Sequence, residues 1–334
     1  MKIPITIITG FLGAGKTTLI RHLIKNSHGV RIALIVNEFG SLGVDKELIN
    51  GSCFDSSLSP DIIELANGCI CCTVSEDFVP TIESLIELPE PPDHIIVETS
   101  GLAMPKSLVQ AFNWPELRSR VTVDGVVAII DGPSFKSDLF FKDTKNTLKN
   151  RKANLNVDHD NPLREVFEDQ LLCADLVIIN KIDLLENNDL ADVQTSILQI
   201  VRPGVKVLSS IRCALNSCVI LGVGNTIGQN INYTPHLHDH DEFESFVVKL
   251  ASIEDPKSLE NRISQAAETY NILRVKGFVE VSGKDMRHVI QAVGPRVDRY
   301  YDRPWNKVET RSSALVVIGE TGLDKDAIVR TLQG

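Results

Sequence analysis

The sequence predicts an α/β fold in which a doubly wound, mainly parallel sheet is followed by a smaller C-terminal α+β domain. Apolar runs rich in Ile and Val, without polar alternation, are typical of parallel strands buried on both faces. Amphipathic stretches separate these runs, and that alternation builds a doubly wound sheet. A chain of 334 residues is long enough for one large core and a second, smaller one.

The candidate strands of the first domain follow one another with helical patterns between them. Their apolar runs occupy residues 5–9, 31–37, 94–99, 125–131, 175–180 and 205–210. The clearest helical patterns occupy residues 17–25, 77–87 and 163–175. We therefore predict one parallel sheet for this part of the chain, covered by helices on both faces.

The pattern changes after a polar, irregular stretch, NTIGQNINYTPHLHDHD, at residues 225–241. This composition suits a His-containing linker, so we place the first domain at 1–224 and the second at 242–334. The second domain contains long strand-like runs and two helical patterns. These features predict a small α+β domain with a largely antiparallel sheet.

Composition and charge exclude several functional classes. The formal net charge is −10 and no block of Lys and Arg is present, which argues against a nucleic-acid-binding surface. The N-terminus lacks a signal-peptide pattern and no run of roughly eighteen apolar residues occurs, so we expect a cytoplasmic protein without a membrane partner. In a reducing compartment, clusters among the seven cysteines indicate metal binding or catalysis more often than disulfides.

The strongest chemical signal is GFLGAGKTT, which lies between a predicted strand and a predicted helix. It fits the pattern of a phosphate-binding P-loop, in which backbone N–H groups and a helix N-terminus surround the phosphates. Lys16 is expected to reach the β- and γ-phosphates, and Thr17 to offer a hydroxyl to Mg(II). The predicted nucleotide-binding residues of this loop are Gly10, Gly13, Ala14, Gly15, Lys16, Thr17 and Thr18.

The base is indicated by NKID, which follows the apolar run at 175–180. Asn180 and Asp183 supply donors and acceptors that match the edge of guanine, and the stem of Lys181 can lie along the ring. The position after a buried strand, downstream of a P-loop, favours GTP over ATP.

Acidic residues at strand ends are candidates for organising Mg(II) and water. Glu98 ends an apolar strand and precedes Ser100 and Gly101, so it is our candidate for the metal-organising acid. Glu38 follows another strand and could orient water or bind metal, or be a solvated loop acid. Asp131 also ends a strand, but its neighbours do not distinguish a functional residue from a turn residue.

Three cysteines lie together in GCICC, between the segment with Glu38 and the strand with Glu98. In extended backbone Cys69 and Cys71 share a face and can converge on one ion, whereas Cys72 points away unless the chain turns. Bridges between such close neighbours would be strained, and the redox C-x-x-C pattern is absent. A thiolate metal site is favoured, with Cys72 as a further ligand or a packed neighbour, and packed apolar cysteines as the alternative.

These motifs and their order closely resemble the CobW family of P-loop GTPases. The resemblance covers nearly the whole chain and includes ELANGCICCTV, ETSGLAMPK and QAVGPRVDRY. It implies a GTP-hydrolysing cobalt metallochaperone of aerobic cobalamin biosynthesis that delivers Co(II) to the cobaltochelatase. By resemblance, the metal motif is Cys69, Cys71 and Cys72. A homodimer is one candidate for the oligomeric state.

Two alternative functions share most of these motifs. A zinc chaperone of the same family would use the same residues, because thiolate and imidazole ligands do not distinguish Zn(II) from Co(II). A GTPase assembly factor without metal cargo would tolerate loss of the cysteines and would favour a basic face, which the sequence lacks. His236, His238 and His240 form a second metal-like cluster, either an ion-capturing segment or a solvated linker.

Overall fold

The structure is a computed structural model. It describes residues 2–26, 30–36, 61–64, 78–137, 162–186, 189–222, 243–306 and 311–334, with the backbone alone for 61–64 and 162. The elements of the first part are β1 (Ile3–Thr9), α1 (Lys16–Lys25), β2 (Ile32–Val36), β3 (Asp61–Glu64), α2 (Phe78–Ile86), β4 (His94–Glu98), α3 (Pro105–Ala111), α4 (Pro115–Arg118), β5 (Val121–Asp131), α5 (Gly132–Lys136), α6 (Pro162–Cys173), β6 (Leu176–Asn180), a 3-10 turn (Ile182–Leu184), α7 (Asp189–Leu198), β7 (Lys206–Ser209) and α8 (Ser217–Leu221). Those of the second part are β8 (Phe243–Leu250), α9 (Pro256–Thr269), β9 (Ile272–Val279), β10 (Met286–Val293), β11 (Arg296–Pro304), β12 (Ser313–Glu320) and α10 (Lys325–Gln333).

The first sheet has seven strands in the order β3-β2-β4-β1-β5-β6-β7. Its neighbouring strands pair in parallel, which confirms the predicted doubly wound α/β fold. The edge strand β3 was absent from the prediction. In the register, Ile8 pairs with Glu98 and Asp131 pairs with Asn180, so these residues lie at the carboxyl edge of the sheet. That edge is where ligands bind in open α/β sheets.

Alternate residues of the strands supply two apolar layers. On one face, Ile8, Ile129 and Ile178 pack with α1. On the opposite face, apolar side chains of the same strands pack with α2, α3, α6 and α7. Burial on both faces explains why the strand sequences show no polar alternation.

The second sheet has five strands in the order β11-β10-β9-β12-β8, and its neighbouring strands pair antiparallel. This confirms the predicted C-terminal α+β unit, although β11 was not predicted. Helices α9 and α10 pack on one face of the sheet. From the other face, Leu273, Val293 and Val316 enter the same apolar cluster as α1 and Ile129, so the two sheets share a core.

Within the described ranges, none of the helices combines the length and apolar character needed to cross a membrane.

Candidate functional site

The loop between β1 and α1 adopts a conformation that its glycines make accessible. Gly10, Gly13 and Gly15 have φ values of 138°, 76° and 115°, a region that residues with a Cβ rarely adopt. A Cβ on Gly10 would lie 2.2 Å from the carbonyl oxygen of Ile129. A Cβ on Gly15 would lie 2.5 Å from the side-chain nitrogen of Asn180. The loop therefore packs tightly between two neighbouring strands.

Lys16 is the first residue of α1 and is 8% exposed. Its Nζ donates hydrogen bonds to the carbonyl oxygens of Gly10 (3.0 Å) and Phe11 (3.2 Å), so the ammonium group lies inside the loop. No side chain caps the N-terminus of α1. A buried ammonium group beside a helix N-terminus is the arrangement that binds phosphate groups.

Thr17 and Glu98 meet at the mouth of the loop. The Thr17 hydroxyl donates to Glu98 Oε1 at 3.4 Å, and Glu98 is 5% exposed. Hydroxyl and carboxylate oxygens are the ligands that Mg(II) prefers. The two residues fit such an ion and are the ones that would hold it.

The turn after Glu98 forms the opposite wall. Thr99 donates from its hydroxyl to Thr9 Oγ1 at 2.9 Å, which fixes the turn to the end of β1. Gly101 lies against the P-loop, where a Cβ would be 2.7 Å from the backbone nitrogen of Leu12. A cavity of about 260 Å³ separates the two walls. It is lined by Leu12, Gly13, Gly15, Lys16, Thr17, Thr18, Glu98, Thr99, Ser100 and Gly101.

Asn180 lies behind the P-loop with 2% of its surface exposed. Its Nδ2 donates to Ala14 O at 2.9 Å. Its Oδ1 accepts from the backbone N–H of Cys213 at 2.9 Å and from the hydroxyl of Ser210 at 3.3 Å. In the structure its amide joins the P-loop to the segment after β7. The contact of Asn180 with the base stays a prediction.

Lys181 adopts a left-handed conformation, with φ 61°. Its Nζ lies 2.5 Å from Asp131 Oδ2, and Asp131 also accepts from the backbone N–H of Ser134 as the N-cap of α5. Burial opposes ionisation of Asp131, but the hydrogen bonds from Lys181 and Ser134 outweigh it and lower the pKa of the carboxyl group. Asp131 is thus both a helix cap and the partner of Lys181. Asp183 follows in the 3-10 turn and is exposed.

Comparison with known proteins identifies the family. The description "CobW/HypB/UreG, nucleotide-binding domain" matches residues 4–209, and "Cobalamin synthesis protein cobW C-terminal domain" matches residues 243–334. The chain belongs to the CobW family. The predicted resemblance is thereby confirmed.

Relatives within the CobW family align over nearly the full chain. A Sinorhizobium protein named zinc chaperone CobW is 46% identical, with 98% of this chain and 95% of the relative covered. A Pseudomonas aeruginosa protein of the same name is 45% identical, with 99% and 91% covered. The zinc chaperone YjiA of Escherichia coli is 28% identical, with 95% and 94% covered.

Sequence reasoning missed Cys213. This residue follows β7, has φ 55°, and its thiol donates to Gly15 O at 3.4 Å. Burial raises the pKa of the thiol to about 12, so it is a packing group rather than a nucleophile. The available signal was its position just beyond the last predicted strand, at the carboxyl edge that holds the other CobW-family motifs.

Gln170 was also missed. It lies on α6, is 1% exposed, and its Nε2 donates to Gly101 O and Ala103 O, both at 3.1 Å. The signal was an amide on the apolar side of the helical pattern at 163–175.

The remaining predicted residues lie outside the described part of the chain. These are Glu38, Cys69, Cys71, Cys72, His236, His238 and His240. Among the residues that are described, the structure contains no group of three or more His, Cys, Asp or Glu placed to hold a metal ion.

Proposed function

We propose that this chain is a GTP-hydrolysing metallochaperone. The observation that carries the proposal is the meeting of Lys16, Thr17 and Glu98 at one cavity, between a P-loop and the turn after β4. One side chain for phosphate and two for Mg(II) are thus presented at the carboxyl edge of the sheet, with NKID on the neighbouring side of the loop. Family membership supports the assignment.

The phosphates would bind where Lys16 now contacts carbonyl oxygens. Phosphate oxygens would replace Gly10 O and Phe11 O as acceptors for the ammonium group, which retains its buried position. The N-terminus of α1 adds N–H donors to the same place. When bound through Thr17 and Glu98, Mg(II) supplies positive charge beside the phosphates.

Guanine would be recognised by NKID and its supports. The exposed carboxylate of Asp183 is available to accept from the base edge, and the stem of Lys181 is held by Asp131. Asn180 would contribute to nucleotide binding through its hydrogen bonds to Ala14 and Cys213, which hold the P-loop against the segment after β7. Glu38 remains our candidate for orienting water.

The cargo metal would bind to the thiolates of Cys69, Cys71 and Cys72, with the histidines at 236, 238 and 240 as a capturing segment. Zn(II) is supported by the names of the relatives at 45–46% identity. Co(II), delivered to a cobaltochelatase, is the second candidate, supported by the cobalamin-synthesis description that matches residues 243–334. We also propose that the two domains comprise residues 1–224 and 242–334, and that a homodimer is one candidate for the assembly.

The hydrolysis part of the proposal is tested by phosphate release from GTP. The wild-type protein should hydrolyse GTP, and Lys16→Ala should lose both tight GTP binding and turnover. Lys25→Ala, at the opposite end of the same helix, is the matched control and should retain both. Hydrolysis that is unchanged in Lys16→Ala would contradict the assignment of the site.

The cargo part is tested by competitive titration of Zn(II) and Co(II). The affinity for each metal is measured in the presence of a non-hydrolysable GTP analogue, in the presence of GDP and without nucleotide. If metal and nucleotide binding are coupled, the metal affinity should differ between these states by about 5- to 150-fold. Cys69→Ala and Cys71→Ala should lose that difference and keep GTP binding, whereas Cys173→Ala on α6 should keep both. Equal affinities in the three states would favour an assembly factor without metal cargo. Activation of a purified cobaltochelatase by the loaded protein distinguishes Co(II) delivery.

A further inference from the structure

Gln170 lies on a helix face that is otherwise apolar. Its neighbours on that face, Phe167 and Leu171, pack into the core against β5 and β6, as does Ala174 just beyond the end of the helix. Burial of an amide destabilises the fold unless the amide finds hydrogen-bonding partners. The position therefore needs an explanation that hydrophobic packing does not supply.

The amide bonds to the turn that forms one wall of the cavity. Both N–H groups of Gln170 are used, one on Gly101 O and one on Ala103 O, each at 3.1 Å. The turn itself is closed by the bond from Ala103 N to Ser100 O at 3.0 Å. A single nitrogen with two donors thus fixes two carbonyl groups of one short turn.

The direction of these carbonyl groups matters because the proposed ligand of the cavity, the phosphate chain of GTP, is an anion that a carbonyl oxygen would repel. Gly101 lines the cavity, and as a glycine it permits its peptide groups to rotate into conformations that other residues avoid. A rotated Gly101 carbonyl would point its negative end at the phosphates, whereas the bond from Gln170 holds that oxygen toward α6. On the cavity side, close contact with Leu12 leaves the turn little space to move.

We propose that Gln170 is a positioning residue for the γ-phosphate of GTP. It acts through Gly101 and Ala103 and keeps the turn after Glu98 in the orientation that accepts a third phosphate. The inference rests on the proposed function of the site. It predicts a selective effect, because GDP lacks the group that this turn would face.

The test compares GDP with a non-hydrolysable GTP analogue in Gln170→Met, which keeps the shape of the side chain and loses both donors. The preference for the analogue over GDP should fall by about tenfold, within the usual range for coupling between a remote group and a site. GDP affinity should stay within about twofold of wild type, because the P-loop and the base side keep their contacts. Gln291→Met, at a buried glutamine on β10, is the matched control and should leave the preference unchanged.

Gln170→Glu supplies a second readout that a purely structural role would not give. At high pH its carboxylate would face two carbonyl oxygens and weaken analogue binding. Because burial raises a carboxyl pKa, the protonated form should appear as pH falls from about 8 to 6 and donate one hydrogen bond again. The preference for the analogue should then partly recover, and it should not recover in Gln170→Met.

Two results would overturn the role of Gln170: an unchanged preference in Gln170→Met, or an equal loss of affinity for both nucleotides. The proposed function fails separately, if the wild-type protein binds both nucleotides but does not hydrolyse GTP. In that case the ratio of analogue affinity to GDP affinity, compared between Gln170→Met and wild type, still tests the role of Gln170.

Discussion

Arg274 on β9 donates to the carboxylate of Asp124 on β5 at 2.6 Å, and both side chains are 3% exposed. The same guanidinium donates to Ile220 O at 2.8 Å, at the end of α8. One buried arginine therefore joins the second sheet both to strand β5 of the first sheet and to helix α8. Because the pair is buried, removal of either partner leaves the other charge without compensation in the protein interior.

Asp124→Asn should strongly destabilise the protein, because it leaves the guanidinium of Arg274 buried without its counter-charge. The expected loss is about 3–5 kcal/mol in the free energy of unfolding. Denaturant unfolding followed by circular dichroism measures it. The control is Asp285→Asn, which removes an exposed partner of Arg311 and should cost at most about 1 kcal/mol. Similar losses in the two variants would contradict the importance of the buried pair.

His94 should make the protein sensitive to mild acid. It is buried and shares a 2.8 Å hydrogen bond with Thr6. Burial, with the nearby Lys276 and Arg274 and against the effect of Asp124, lowers the pKa of His94 to about 3. The unfolded chain takes up this proton near pH 6.5 and the folded chain does not, so stability is full above about pH 6.5 and falls toward pH 3.

His94→Gln should remove this part of the pH dependence. The stability of wild type relative to the variant should fall by about 1.4 kcal/mol per pH unit below pH 6.5. Unfolding free energies between about pH 6.5 and 4.5 measure the difference, since carboxyl groups titrate mostly below that window. Parallel curves for the two proteins would show that His94 does not titrate differently on folding.

Asn180→Ala should weaken nucleotide binding while leaving the exposed carboxylate of Asp183 unchanged. The change removes the bonds to Ala14 and Cys213 and leaves a buried N–H group without its acceptor, at a cost of about 1–3 kcal/mol. GDP affinity and unfolding are both measured. Asn113→Ala, at an exposed asparagine beyond α3, is the control and should change neither. Unchanged GDP affinity in Asn180→Ala would show that the hydrogen bonds of Asn180 to Ala14 and Cys213 do not support nucleotide binding.

Gly101→Ala should displace the turn after Glu98. The new Cβ would lie 2.7 Å from the backbone nitrogen of Leu12, and backbone atoms yield less easily than a flexible side chain. Overpacking of this kind costs about 1–3 kcal/mol, and it should reduce binding of a GTP analogue more than binding of GDP. Gly125→Ala is the control, since its Cβ would meet two side chains at 3.5 and 3.6 Å. Equal effects of the two variants on analogue binding would contradict the close contact.

The sequence predicted six strands of the first sheet because these are apolar on both faces. It did not predict β11, which reads RVDRYYDRP. This strand lies at a sheet edge, where its charged side chains pair with other elements instead of forming an apolar stripe. Arg296 pairs with Asp175 and Arg299 pairs with Glu260. The reason for its composition lies in partners that are distant in the chain.

The predictable part of the site is local. Lys16, Thr17 and Glu98 stand at strand ends or helix starts, so adjacent sequence indicates their roles. The contacts of Gln170 and Cys213 join distant segments: Gln170 binds a carbonyl 69 residues away, and Cys213 binds one 198 residues away. Single-sequence patterns contain no information on such pairings.

The contact of Arg274 with Asp124 and Ile220 limits how the chain can be divided. A fragment that stops before the polar stretch at 225–241 would retain the buried carboxylate but lose its arginine. It would also expose apolar side chains that Leu273 and Val293 now cover. Such a fragment should be prone to aggregation, and recombinant work on the nucleotide site should therefore keep the two sheets on one polypeptide or supply the second half in trans.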